Sequence, residues 1–228
     1  GNYQAYNNIG NILWGEGEFD AAIDSYKKVL KIKPDYAEAH YNMGIVLNKK
    51  GNSEAAIGSY KEAIKIKPNH AEAYNNMGTA LNEVGDLEAA MNSYKQALKI
   101  KPDFANVALN LSGLAGTISS SKSWIEHCLQ LDENHLEAKL ILSALRFYEG
   151  DKSDFNNLMH SSLKDHPYMR SIAWVFDLPQ LPELYFHRWA LFDNVIGRSK
   201  EDRPFYEFGV WRGEAFRYLI KTFKKGYG

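Results

Sequence analysis

The sequence is poor in the features that support most chemistry. It has one cysteine, Cys128, in 228 residues, so no disulfide can close within the chain. That fits a reducing compartment, and a cytoplasmic location is the expectation. It has no excess of charge. The 27 basic side chains face 28 acidic ones, which removes any bulk pull toward nucleic acid or an anionic membrane. No run of about 18 apolar residues occurs, so no membrane-spanning helix is expected. The start shows no basic stretch followed by an apolar one, as a secretory signal would. None of the histidines His40, His70, His127, His135, His160, His166 and His187 falls in an H-E-x-x-H or Cys/His zinc spacing. His127 and Cys128 are adjacent on a predicted helix, where neighbours point apart. Neither a metal nor a catalytic residue is expected in this chain.

What the sequence does hold is a period. Pro34, Pro68 and Pro102 are 34 residues apart, and so are Gly10, Gly44 and Gly78. Ala22, Ala56 and Ala90 follow the same spacing, as do Tyr26, Tyr60 and Tyr94. A hydrophobic content of 45% is ample for a core. Each unit reads as two helices. Gly17, Gly51 and Gly85 lie between them, where a positive φ suits glycine. The proline stops the second helix and sets the entry to the next unit. The small glycine and alanine are expected to face one another where the two helices cross. The aromatic is expected to fill space between neighbouring units.

These spacings resemble the tetratricopeptide repeat (TPR), with its W-x2-L-G-x2-Y…A-x3-F…P pattern. The first unit supplies Tyr6, Ile9, Gly10, Leu13, Ala22, Tyr26 and Pro34. The second supplies His40, Met43, Gly44, Leu47, Ala56, Tyr60 and Pro68. The third has Tyr74, Met77, Gly78, Leu81, Ala90, Tyr94 and Pro102. The resemblance covers residues 3–104 and implies an all-α fold, a superhelical TPR solenoid of helical hairpins. Beyond it the register degrades. A fourth helix A reads Ala105–Ala115, with Ser112 in the place of the glycine. Thr117–Ser121 reads as a small polar loop, and Glu133 stands where proline is expected. The expected domains are four TPR units over 1–135, the fourth degenerate and short. A fifth TPR-like pair spans 136–169, with Gly150 and Pro167 in place and Ser143 and Phe155 at its packing positions. Capping or linker helices occupy 170–200.

One repeat cannot bury its own apolar face, so repeats stack and leave a concave groove lined by the first helix of each. Residues three and four apart share a face. That face holds Gln4, Asn7, Asn8 and Asn11 in the first unit. In the second it holds Glu38, Tyr41, Asn42, Ile45, Asn48 and Lys49, and in the third Glu72, Asn75, Asn76, Thr79, Asn82 and Glu83. Asn110 continues the row of Asn8, Asn42 and Asn76. An asparagine offers amide donors and a carbonyl acceptor, which suits an extended peptide backbone. The row resembles the asparagine ladder of O-linked N-acetylglucosamine transferases. The expected peptide-binding residues are Asn8, Asn11, Tyr41, Asn42, Asn75, Asn76 and Asn110. The plain alternative is a solvated face copied by tandem duplication. Gln4, Glu38, Glu72 and Asn106 precede the row by one turn and are not the cations that a carboxylate clamp needs.

The tail differs. After the break Leu178-Pro179-Gln180-Leu181-Pro182, a helix is predicted over Glu183–Ile196. Residues 201–228 then carry Glu207-Phe208-Gly209-Val210-Trp211-Arg212-Gly213. This reads as a short strand, a glycine turn and a helix, a C-terminal strand-turn-helix fragment. It resembles the first cofactor motif of class I S-adenosylmethionine-dependent methyltransferases, in the macrocin O-methyltransferase-like branch. The resemblance implies that Glu207, Gly209 and Gly213 bind the cofactor. Without the remaining strands of such a domain, no cofactor is expected on this chain, while S-adenosylmethionine remains an expectation for a longer parent. The leading expectation is a protein-interaction module that binds an extended peptide or partner protein, as the N-terminal part of such an enzyme. The alternative is a stand-alone TPR scaffold whose tail caps the solenoid. Self-association through the repeat ends, near Tyr3–Tyr26, is a further expectation.

Overall fold

The computed structural model describes residues 2–164. These form ten helices and no strand: α1 (Asn2–Gly15), α2 (Phe19–Ile32), α3 (Ala37–Lys49), α4 (Ser53–Ile66), α5 (Ala71–Glu83), α6 (Leu87–Ile100), α7 (Ala105–Ser112), α8 (Ile118–Leu131), α9 (Leu136–Tyr148) and α10 (Ser153–Met159). The chain divides into two compact units, the first ending at Leu111 and the second starting at Ser112. No described helix is long and apolar enough to cross a membrane.

In the first unit α1 and α2, α3 and α4, and α5 and α6 pair as hairpins, and each hairpin packs on the next. The turns obey local rules. Gly17, Gly51 and Gly85 have φ of 83°, 78° and 88°, the left-handed region open to glycine. Asn52 and Asp86 cap α4 and α6, their side chains accepting from the N–H of Ala55 and Ala89. The core repeats too. Ala22, Tyr26 and Val29 are buried, as are Ala56, Tyr60 and Ala63, then Ala90, Tyr94 and Ala97. Tyr26 joins Ala22, Ile23 and Val46 in one apolar cluster, backed by Leu13, Met43 and Leu47.

The close contact of each hairpin is made by glycine and tyrosine rather than by glycine and alanine. A Cβ built on Gly44 would lie 2.6 Å from Tyr60 Cε1, and the three nearest heavy atoms all belong to that ring. Gly10 meets Tyr26 at 2.6 Å and Gly78 meets Tyr94 at 2.7 Å in the same way. The reason is reach. A phenol ring extends across the helix crossing further than a methyl group, so it covers the bare backbone.

The second unit starts differently from the sequence expectation. Thr117–Ser121 is not a loop. Thr117 is the N-cap of α8, its hydroxyl accepting from the Ser120 N–H at 3.1 Å, and residues 118–121 form the first turn. Short hydroxyl side chains favour this capping role. Within this unit α8 packs on α9 and α9 on α10. Its core includes Ile125, Cys128, Ala138, Leu140, Leu142 and Phe155. Arg146 ties Asp154 at 2.5 Å and Glu126 at 3.5 Å. Gly150 again has a positive φ of 101°. The expected helices of 170–200 and the strand-turn-helix of 201–228 lie outside the described residues.

Candidate functional site

The first helices of successive hairpins are neighbours, α1 against α3 and α3 against α5. This brings the asparagine row together, and hydrogen bonds join its members across hairpins. Asn110 Nδ2 donates to Asn75 Oδ1 at 2.9 Å. Asn75 Nδ2 donates to Asn76 Oδ1, and Asn76 Nδ2 to the Tyr41 hydroxyl, both at 3.1 Å. These bonds form a continuous relay from α7 through α5 to α3. A second, separate group follows: Asn42 Nδ2 donates to Asn11 Oδ1 at 3.1 Å, and the Tyr26 hydroxyl donates to the same oxygen at 2.7 Å.

The residues of the row therefore divide. Asn11, Tyr41 and Asn75 accept bonds from the following hairpin and orient its amides. Asn42, Asn76 and Asn110 each spend one amide hydrogen on that contact and keep a second, because an amide nitrogen carries two. They are partly exposed, and Asn8 and Asn11 are exposed. Asn7 departs from the expected face. It is 4% exposed, and its Oδ1 is buried without a partner. It holds the place that Tyr41 and Asn75 hold in later hairpins, but Asn42 reaches one turn further, to Asn11.

The surroundings add charge and rings. His70 stacks on Tyr41 with centroids 4.7 Å apart, and its Nδ1 lies 3.2 Å from Glu72. Lys101 Nζ is 3.8 Å from the other oxygen of Glu72. The Glu72 carboxyl is held below the usual range, first by its own backbone N–H and then by His70 and Lys101. Burial and nearby Lys67 hold the His70 imidazole below its usual range, against the pull of Glu72. The Tyr26 phenol is pushed up to about 12 by burial and by the Glu38 carboxylate. Tyr41 is also raised by burial and by Glu72, and the bond from Asn76 opposes the shift. The Tyr94 hydroxyl likewise shares a hydrogen bond with the Thr79 hydroxyl at 3.2 Å, and the part played by the Tyr26 and Tyr94 hydroxyls was not anticipated from sequence. Their one signal was that a tyrosine, with its hydroxyl, recurs where phenylalanine would pack as well.

The cofactor residues expected from the tail, Glu207, Gly209 and Gly213, lie outside the described residues. Among the described residues no group of three His, Cys, Asp or Glu side chains is placed to hold a metal ion.

A TPR repeat family profile matches residues 10–51, and a tetratricopeptide repeat profile matches residues 35–103. Residues 10–103 are tetratricopeptide repeats. No curated protein is significantly similar to the chain. Among solved structures, MamA from Desulfovibrio magneticus RS-1 superposes with a TM-score of 0.63 at 20% identity, covering 72% of this chain and 97% of that one. Pseudomonas aeruginosa pilF gives 0.64 at 21% identity, covering 77% and 84%. A Thermobaculum terrenum O-GlcNAc transferase gives 0.53 at 21% identity, covering 56% of this chain and 26% of that one. At these identities the likeness is one of fold. The TPR fold supports a protein–protein interaction module.

Proposed function

We propose that the row Asn42, Asn76 and Asn110, with Asn8 at its start, holds an extended peptide segment of a partner protein by its backbone. The observation that supports this most directly is the relay just described. It orients the amides of Asn76 and Asn110 before any ligand arrives, the separate bond to Asn11 orients that of Asn42, and each of the three keeps a donor hydrogen. A preorganised amide loses less side-chain entropy on binding than a free one. Asn11, Tyr41 and Asn75 belong to the site mainly as its supports. The neutral amides read main chain rather than side chains, so tolerance of partner sequence is part of the reading. The methyltransferase role of Glu207, Gly209 and Gly213 is a separate proposal that rests on sequence resemblance alone.

The test is selection of random peptides displayed on phage against the chain, followed by titration of the selected peptides. Asn42→Ala with Asn76→Ala should weaken them, and methylation of peptide backbone nitrogens should weaken them as much. Peptides that bind equally well after both changes would remove the backbone-clamp reading.

A further inference from the structure

We propose that the outward lysines of α2, α4 and α6 form a second docking surface, for an acidic segment of a protein. Lys27 and Lys31 on α2, Lys61 and Lys65 on α4, and Lys95 and Lys99 on α6 take the same two places on three successive hairpins, and all six are exposed. Residues four apart share a helix face. That face lies opposite the buried Ala22, Tyr26 and Val29 and their counterparts. It is also carried by the second helix of each hairpin, whereas the asparagine row is carried by the first.

The charge on this face is little compensated. Lys27 lies 3.5 Å from Asp24 and Lys65 lies 3.7 Å from Glu62. Both are exposed pairs three residues apart, of a kind that contributes little. Lys31, Lys61, Lys95 and Lys99 make no ion pair among the described residues. Asp20, Glu54 and Glu88 lie in the first turns of the same helices, and Asp24 and Glu62 are the other acids on them. Cations in a last turn complement the helix dipole, which accounts for Lys31, Lys65 and Lys99. Lys27, Lys61 and Lys95 stand a turn earlier, where that effect has faded. The three helices contain no arginine, and their tyrosines are 1–2% exposed. The face therefore offers neither forked guanidinium donors nor a stacking ring, the usual equipment for nucleic acid. Flexible point charges in register suit a run of aspartates or glutamates.

The experiment titrates the chain into a labelled synthetic polyglutamate peptide at low salt, with a DNA duplex and phosphatidylserine vesicles as parallel arms. Binding of polyglutamate should weaken about tenfold or more in Lys61→Glu/Lys95→Glu/Lys99→Glu, and should weaken likewise with added salt. Far-UV circular dichroism should show the fold of that variant unchanged. Glu38 and Glu72, one turn before Asn42 and Asn76, repel an acidic peptide from the groove, so Asn42→Ala/Asn76→Ala should bind polyglutamate as the parent does, which separates this surface from the groove. No binding at low salt, binding indifferent to the triple reversal, or tighter binding to duplex or vesicles would each overturn the proposal.

Discussion

The first three hairpins and the helices after Ser112 solve the same packing problem in opposite ways. In the regular hairpins, helix A gives up its side chain at Gly10, Gly44 and Gly78, and a tyrosine ring covers the vacated backbone at 2.6–2.7 Å from where a Cβ would sit. In the later helices Ser112 and Ser143 hold the glycine places, 4% and 0% exposed. Ile125 and Met159 hold the tyrosine places by register. Where one helix gains a side chain, the other loses its ring. By register the summed side-chain volume of each pair is roughly kept, and cores tolerate a volume-conserving exchange far better than a one-sided change. The exchange has a cost at Ser143, whose buried hydroxyl has no partner. An unsatisfied buried group costs about 1–3 kcal/mol. The comparison teaches that the repeat is a pairwise rule and not a string of independent preferences.

The most direct way to break this comparison is Gly44→Leu. Its Cβ would already sit 2.6 Å from the Tyr60 ring, so denaturant unfolding should show a loss at the upper end of roughly 1–3 kcal/mol. A sharper form is the cycle Gly44→Ser, Tyr60→Ile and both together. The double variant should lose clearly less than the sum of the single ones, because the pair reproduces Ser112 and Ile125. Strict additivity would mean that the exchange is incidental.

Alkaline pH should distinguish the two kinds of hairpin next. The Tyr26 and Tyr94 phenols are pushed up to about 12 by burial, and Tyr60 is raised further. A raised folded-state value means that this stability is fully present below the ordinary tyrosine value near 10 and is lost as pH climbs through 12. Melting temperature should therefore fall between about pH 10 and 12, and Tyr94→Phe should blunt the fall. A fall of the same size in that variant would shift the cause away from these rings.

Smaller effects follow. Asn76→Ala removes the bonds to Tyr41 and Asn75 and should cost about 1 kcal/mol in chemical denaturation. Any loss of peptide affinity in that variant must be read beside this loss of stability. Arg146→Ala cuts the ties to Asp154 and Glu126, whose side chains are more than a third exposed. In denaturant titration it should cost under about 1 kcal/mol.

Much of the fold was legible because the spacing of 34 marks each element by its special residue. The left-handed glycines Gly17, Gly51 and Gly85 fell where a turn between two helices requires them. What a small residue faces was not legible. Gly44 points across a helix crossing, and whether Ala56 or Tyr60 arrives there depends on side-chain reach in three dimensions. The site was legible only as a row. That Asn110 reaches Asn75 and Asn76 reaches Tyr41 follows from the offset between neighbouring hairpins, which no single period encodes. Asn7 shows the same limit. It shares a register with Tyr41 and Asn75, yet it is buried. Thr117 was misread because a Ser/Thr tract serves a loop and an N-cap equally well.

The relay from Asn110 to Tyr41 bears on how the repeats come apart. Stacked repeats behave as a row of weakly stable units whose cooperativity comes from the contacts between neighbours. Each bond of the relay that crosses from one hairpin to the next strengthens such a contact without strengthening either hairpin alone. With them, α3, α5 and α7 should open in one step. Amide protons in these helices should then exchange with solvent at a common rate and not in a gradient toward the ends. In Asn75→Ala that shared rate should split into separate ones for neighbouring hairpins. A protein that holds its partner across several repeats would in this way keep or lose the whole grip at once.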